Sequence, residues 1–284
     1  MLRRSSVVSL TEENLGHHDT TLNKISERYE SGLGTRVDVV QTEGRRAQSK
    51  SNVLLAMRGV ANGRAEFFRV VGEQPTNLSL PDNVTGLPST LNQALTIAKD
   101  NNPELQAAAA EYDAARSADK SARGSIYPRL DLELGVSRND DTDGTIGAND
   151  DEMAMVRLTY NLYKGGAEKA RRSEASARMM AAKENLRSAQ RQLDEDVTLV
   201  WNELQDILLR LEYLEAHVAS TEEVLQVYNE QLSLGKRTLL DLLDIQNELL
   251  RAKVALTAGQ FSSRLARYRL LASTGQLLET LNVR

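Results

Sequence analysis

Apolar residues recur at alternating steps of four and three along one long stretch of the chain: Leu193, Val197, Val200, Leu204, Ile207, Leu211, Leu214, Val218, Leu225, Tyr228 and Leu232. That spacing holds them on one side of an α-helix, and its seven-residue period is that of a coiled coil. Only Thr221 breaks the stripe. No proline or internal glycine interrupts residues 166–231, so one helix of roughly 100 Å is predicted at about 1.5 Å per residue. Leu199, Trp201, Leu208 and Leu209 lie off the stripe. The helix is therefore expected to meet more than one neighbour.

A different period governs residues 127–163. Leu130, Leu132, Leu134 and Val136 alternate with polar residues, as do Ala154, Val156, Leu158, Tyr160 and Leu162 with Met155, Arg157, Thr159, Asn161 and Tyr163. Period two predicts strands at 127–138 and 152–163 that form a hairpin with a long polar loop. Two strands cannot close a sheet, so the apolar face needs a partner chain, lipid or both. The pattern fits a lipid-facing barrel strand and a soluble sheet alike.

Sliding the sequence over itself by 203 positions aligns Gly32 with Gly235, Asp38 with Asp241, Lys50 with Lys253 and Gly72 with Gly275 without a gap. Two copies of one unit follow, each with a helical hairpin turning at the glycine. Pro75, Pro81 and Pro88 mark a linker over 73–88. The expected division is a first repeat over 1–72, with its turn near 32–35, and a second over 89–284. The second comprises a helix at 89–123, the two strands, a long helix at 166–231 and a helix at 238–274. The first copy looks truncated.

Composition narrows the function. Thirty-five Lys and Arg stand against 40 Asp and Glu, so a nucleic-acid surface is not expected. The chain has no Cys, which removes disulfides and thiolate metal sites. No 18-residue apolar run is present, and the opening MLRRSSVVSL does not read as a signal peptide. The loop from Asn139 to Asp150 partly fits a calcium loop, but strands flank it and its twelfth position is Asp rather than Glu. It is read as a solvated loop. His17 and His18 are adjacent and point to different sides of a helix, and His217 is isolated. No metal, cofactor or catalytic constellation is expected.

Four stretches carry a family resemblance: Asn102-Pro103-Glu104-Leu105, Tyr127-Pro128-Arg129-Leu130, Leu162-Tyr163-Lys164-Gly165-Gly166 and, most specific, Leu234-Gly235-Lys236-Arg237-Thr238-Leu239-Leu240-Asp241-Leu242-Leu243-Asp244. With the repeated order of elements, the chain resembles the TolC-like outer-membrane channel family of bacterial efflux and type I secretion. The last stretch looks most like the secretion branch, which exports adhesins or toxins. The resemblance covers the whole chain but about two-thirds of a typical member. It implies a mainly α fold: long antiparallel coiled-coil helices forming an α-barrel tunnel across the periplasm, with the β-hairpin contributing to a trimeric barrel in the cell outer membrane. The implied partners are two further copies, a periplasmic adaptor, an inner-membrane ABC or other pump, and outer-membrane lipid. Multidrug efflux is the alternative within the family, and a soluble coiled-coil scaffold or adaptor the alternative outside it.

The resemblance also assigns residues. Asp241 and Asp244, three apart on one helical face, would ring the tunnel's constricted aperture, with Asp38 their counterpart in the first repeat. They could equally be first-turn acids favoured by the helix dipole. Arg237 stands where the family places an aperture-lock arginine, although Leu232 replaces the Tyr and Val37 the hydroxyl partner of the best-known locks; a solvated surface arginine is its alternative role. Gly32, Leu33, Gly34 and Thr35, with Leu234, Gly235, Lys236 and Thr238, would form the hairpin tips that meet the adaptor, besides making the turns.

Overall fold

The computed structural model describes residues 1–81, 84, 86–124, 126–140, 144 and 146–282. In order, the elements are α1 (Leu2–Glu30), α2 (Arg36–Val71), α3 (Leu91–Asn101), α4 (Pro103–Gly124), β1 (Arg129–Asp140), β2 (Ala148–Thr159), α5 (Ala167–Ser233), α6 (Leu239–Ser273) and the short α7 (Leu277–Thr280). They form two compact units, one of Met1–Leu95 with Asp196–Arg284 and one of Thr96–Glu195.

In the first unit, α1 packs against both α2 and α6. The heptad stripe of α5 does what its period demands. Val197, Leu204, Ile207, Val218 and Leu225 are buried, and Thr221 is buried too. Thr221 fits an apolar seam because its hydroxyl donates back to the His217 carbonyl at 2.7 Å, leaving only its methyl to the neighbour. Val218 and Leu225 cluster with Leu242, Leu249 and Ala252 of α6. Off the stripe, Leu199 and Leu209 are exposed.

Leu242 and Leu243 divide the packing of α6. Leu242 joins the α5 cluster, while Leu243 joins Ile25 of α1 and Leu239. Consecutive residues lie about 100° apart around a helix, so one helix binds a neighbour on each side. Between α1, α2 and α6 the core turns polar. Asn14 donates to the Gln246 carbonyl at 3.0 Å, Ser49 donates to Asn14, and Gln246 donates to Thr21 at 2.9 Å. Lys253 of α6 ties the unit further, reaching Glu13 of α1 and Glu222 of α5 at 2.8 Å each. Partial burial works against its charge, but the two carboxylates outweigh this and raise its pKa.

In the second unit, β1 and β2 pair antiparallel from Arg129↔Thr159 to Asp140↔Ala148. Both strands sit a few residues from the bounds the alternation suggests. Pro128 has no N–H to give the ladder, so pairing starts at Arg129 and β2 ends opposite it, leaving Tyr160 to Tyr163 outside the strand. The single helix expected over 89–123 is two. Pro103 forces the break, because its ring disfavours helical geometry at Asn102. The Asn102 side chain then caps α4, accepting from Leu105 N–H at 3.0 Å. Of the loop that partly fits a calcium site, Asp141, Thr142, Asp143 and Thr145 lie outside the described residues.

Candidate functional site

The two hairpin tips are built alike, residue for residue at the 203-position offset. At the first, Gly32 takes φ 75° and donates to the Tyr29 carbonyl at 2.9 Å, while Leu33 N–H reaches Arg28 at 2.8 Å. At the second, Gly235 takes φ 68°, donating to Leu232 at 3.1 Å, and Lys236 N–H reaches Gln231 at 2.9 Å. This paired closure satisfies the last carbonyls of a helix, and its left-handed residue favours glycine. Gly34 has no room for a side chain change without adjustment, since a Cβ there would stand 3.1 Å from the Tyr29 nitrogen.

Each following helix opens on a reciprocal cap. The Thr35 hydroxyl accepts from Asp38 N–H at 3.2 Å while the Asp38 carboxylate accepts from Thr35 N–H at 3.3 Å. Thr238 and Asp241 repeat this at 3.3 and 3.4 Å. In both, the threonine hydroxyl also donates to the carboxylate, at 2.8 and 2.7 Å. Asp38 and Asp241 therefore hold helix N-termini, whatever else they do. The Thr238 hydrogen bond, aided by the Arg237 charge, keeps the Asp241 carboxyl below the usual carboxylate range.

Asp244, one turn on, accepts from Arg45 of α2 at 2.9 Å. This pair joins the two hairpins directly, and the polar cleft around it, about 540 Å³, is lined by Gln48, Asn52, Asn247 and Glu248 besides. Among the described residues, Arg237 finds its partners within its own hairpin. Its guanidinium lies 4.1 Å from the centroid of the Tyr228 ring, donates to Gln231 at 3.1 Å and stands 3.7 Å from Asp241. Tyr228, a full turn before Leu232, supplies the aromatic face. At the tips themselves Leu33 and Leu234 are exposed, 74% and 69%. Beneath Leu33 a groove of about 530 Å³ runs between the ends of α1 and α5, bordered by Ile25, Arg28, Asn229 and Leu232.

Sequence reasoning missed Arg45 and the role of His18. Arg45 lies outside any motif, and its partner becomes visible only when α2 and α6 are brought together. His18 is fully buried beside the polar core, and neither ring nitrogen has a hydrogen-bond partner among the described residues. His17 remains half-exposed, 3.7 Å from Glu13.

The family model described as "Outer membrane efflux protein" matches residues 94–276. The chain is 25% identical over 272 residues to the outer membrane efflux protein BepC of Brucella suis, and 24% over 294 residues to the outer membrane protein TolC of Escherichia coli. These alignments take in 95% and 98% of the chain and 60% of each relative. Identity to the proteases secretion protein PrtF of Dickeya chrysanthemi is 25% over 238 residues, 80% of the chain and 51% of PrtF. Among solved structures, the outer membrane protein VceC of Vibrio cholerae superposes with a TM-score of 0.78 at 21% identity, over 96% of this chain and 66% of that one. The chain thus spans about 60% of the length of the first relatives it matches.

Proposed function

Because the chain belongs to the outer membrane efflux protein family, we propose that it forms, as a homotrimer, a passive outer-membrane channel for type I protein secretion. A periplasmic adaptor and an inner-membrane pump would load it. The observation that carries the membrane placement is the face of the β-hairpin. Leu130, Leu132, Leu134 and Val136, with Val156 and Leu158 across the ladder, are 65 to 73% exposed. A two-stranded sheet with that much bare apolar surface needs lipid on one side and further strands at its edges.

The helices support closure by copies of the same chain. On α2, ten positions at coiled-coil spacing, Val37, Val40, Gly44, Ala47, Ser51, Leu54, Arg58, Ala61, Ala65 and Phe68, are all exposed. Their small members would let another helix approach closely. That helix carries seven Lys and Arg against three acids, whereas residues 196–233 of α5 carry eight acids against Arg210. Packing α2 of one copy near α5 of the next pairs these charges, and a head-to-tail contact of this kind closes into a ring.

In that ring Asp241, Asp244 and Asp38 would face a narrow aperture and favour cations. The Arg45–Asp244 pair would hold the two hairpins together in the closed state, with Arg237 stiffening its own tip. Leu33 and Leu234 would be the apolar contacts for the adaptor, with Gly32, Gly34, Thr35, Gly235, Lys236 and Thr238 shaping the tips. The choice of secretion rests on the resemblance of residues 234–244; BepC, an efflux protein, marks the competing cargo class. The test is detergent dependence and conductance. Purified protein should behave as a detergent-bound trimer that conducts in planar bilayers, and Asp241→Ala with Asp244→Ala should weaken block by multivalent cations. A detergent-free monomer refutes the channel; unchanged block refutes the aperture assignment.

A further inference from the structure

At the helical end of the β-hairpin, α4 finishes and α5 starts, both close to the first ladder pair, Arg129↔Thr159. Between them lies a pocket of about 340 Å³ lined by Asp119, Arg123, Lys169, Arg172, Ser173 and Ser176. Such a volume sits at the small end of ligand sites, enough for a headgroup and too little for a drug-sized molecule. Asp119 is buried, and the Arg123 guanidinium donates to it at 2.8 Å, which fixes Arg123 at the pocket wall and spends its carboxylate charge. Lys169 and Arg172 are exposed, and neither has an ion pair among the described residues. The pocket thus carries two cations in excess, with two hydroxyls beside them.

Its surroundings follow an order. Along the chain the exposed aromatics Tyr127, Tyr160 and Tyr163 lie between the pocket residues and the bare apolar face of β1 and β2. The charges are polarised along the same direction. Residues 116–129 and 160–176 hold eight Lys and Arg against three acids, while the described residues at the far end of the hairpin, 138–140 and 146–152, hold four acids against Arg138. Apolar band, aromatic belt, cations is the depth profile of a single bilayer leaflet, from hydrocarbon through interface to phosphate.

We infer that this pocket binds the phosphate of an anionic phospholipid in the leaflet nearest the helices, its acyl chains lying along the apolar face of β1 and β2. The inference rests on the outer-membrane reading above. Lys169 and Arg172 supply the charge, Ser173 and Ser176 the hydrogen bonds to non-ester oxygens, and Arg123, held by Asp119, the fixed wall. A zwitterionic lipid brings its own cation to the same place and gains less.

The test reconstitutes the protein into vesicles of equimolar phosphatidylcholine and phosphatidylglycerol, extracts it in mild detergent and measures by mass spectrometry which lipid stays bound. Phosphatidylglycerol should be enriched. Lys169→Gln with Arg172→Gln should reduce the enrichment about fivefold per charge removed, roughly 25-fold together. Lys183→Gln with Arg191→Gln, the same charge loss farther along α5, should leave it unchanged. Equal retention of both lipids by inserted protein overturns this inference alone, as does an equal loss in the two double variants. Inorganic phosphate binding to detergent-solubilised protein as tightly as short-chain phosphatidylglycerol would make it a free-anion site and refute the lipid assignment. Failure to enter vesicles at all overturns the outer-membrane reading and this inference with it.

Discussion

Leu242 and Leu243 offer a way to loosen one helical contact at a time. Both are essentially fully buried, at 1% and 0% exposure, yet Leu242 packs on Val218 and Leu225 of α5, while Leu243 packs with Ile25 of α1. Truncating a buried leucine to alanine removes apolar contact and leaves a cavity, at a cost of about 2–5 kcal/mol. A central value of about 3 kcal/mol corresponds to roughly a 150-fold rise in the equilibrium for opening the affected contact. Hydrogen exchange read peptide by peptide separates the two. Leu243→Ala should accelerate exchange in the buried half of α1, around His18 to Ile25, with α5 amides between Val218 and Leu225 changed far less. Leu242→Ala should reverse that order. If either variant speeds exchange on both sides equally, α6 does not carry two separable seams, and the assignment of one leucine to each neighbour is wrong.

Burial pushes the His18 imidazole below its ordinary value near 6.5, so the unfolded chain takes up its proton first. Stability is then full above pH 6.5 and declines as pH falls below it, by up to about 1.4 kcal/mol per pH unit until the folded-state value is reached. Denaturation midpoints of wild type and His18→Gln, compared between pH 7.5 and 5.5, should show that decline only in the wild type. Thr35→Ala and Thr238→Ala should each cost about 1 kcal/mol in denaturant unfolding, with the serine variants recovering most of it. In Thr238→Ala the Asp241 carboxyl should titrate closer to the usual carboxylate range, because its main hydrogen bond is lost; an unmoved titration by NMR would contradict the capping role. At Gly259 a Cβ would stand 3.1 Å from both Leu211 and Leu214. Gly259→Leu should therefore overpack the α5–α6 contact and cost about 1–3 kcal/mol in the same unfolding assay.

Periodicity alone determined the element types here, because burying one side of a helix or strand leaves a direct imprint on the sequence. The stripe from Leu193 to Leu232 and the alternation from Leu130 to Leu158 needed no tertiary information, and the 203-residue offset placed both glycine turns, since turn chemistry is local, whereas the Thr35–Asp38 and Thr238–Asp241 caps came from the structure. Pro103 escaped notice as a breaker, because helix-forming residues continue on both sides of it, with four alanines at 107–110 just beyond. Pairing between distant segments left no such imprint. That Arg45 meets Asp244, that Arg237 turns to Tyr228 in its own hairpin rather than to the other one, and that His18 is sealed at the meeting of three helices depend on how the helices rotate and shift against one another. Those rotations follow from summed packing over many side chains. The same holds for the basic pocket at the foot of the β-hairpin. Its cations stand some 50 residues apart in the chain, and only the antiparallel return of β2 beside β1 brings Arg123 and Arg172 to one wall.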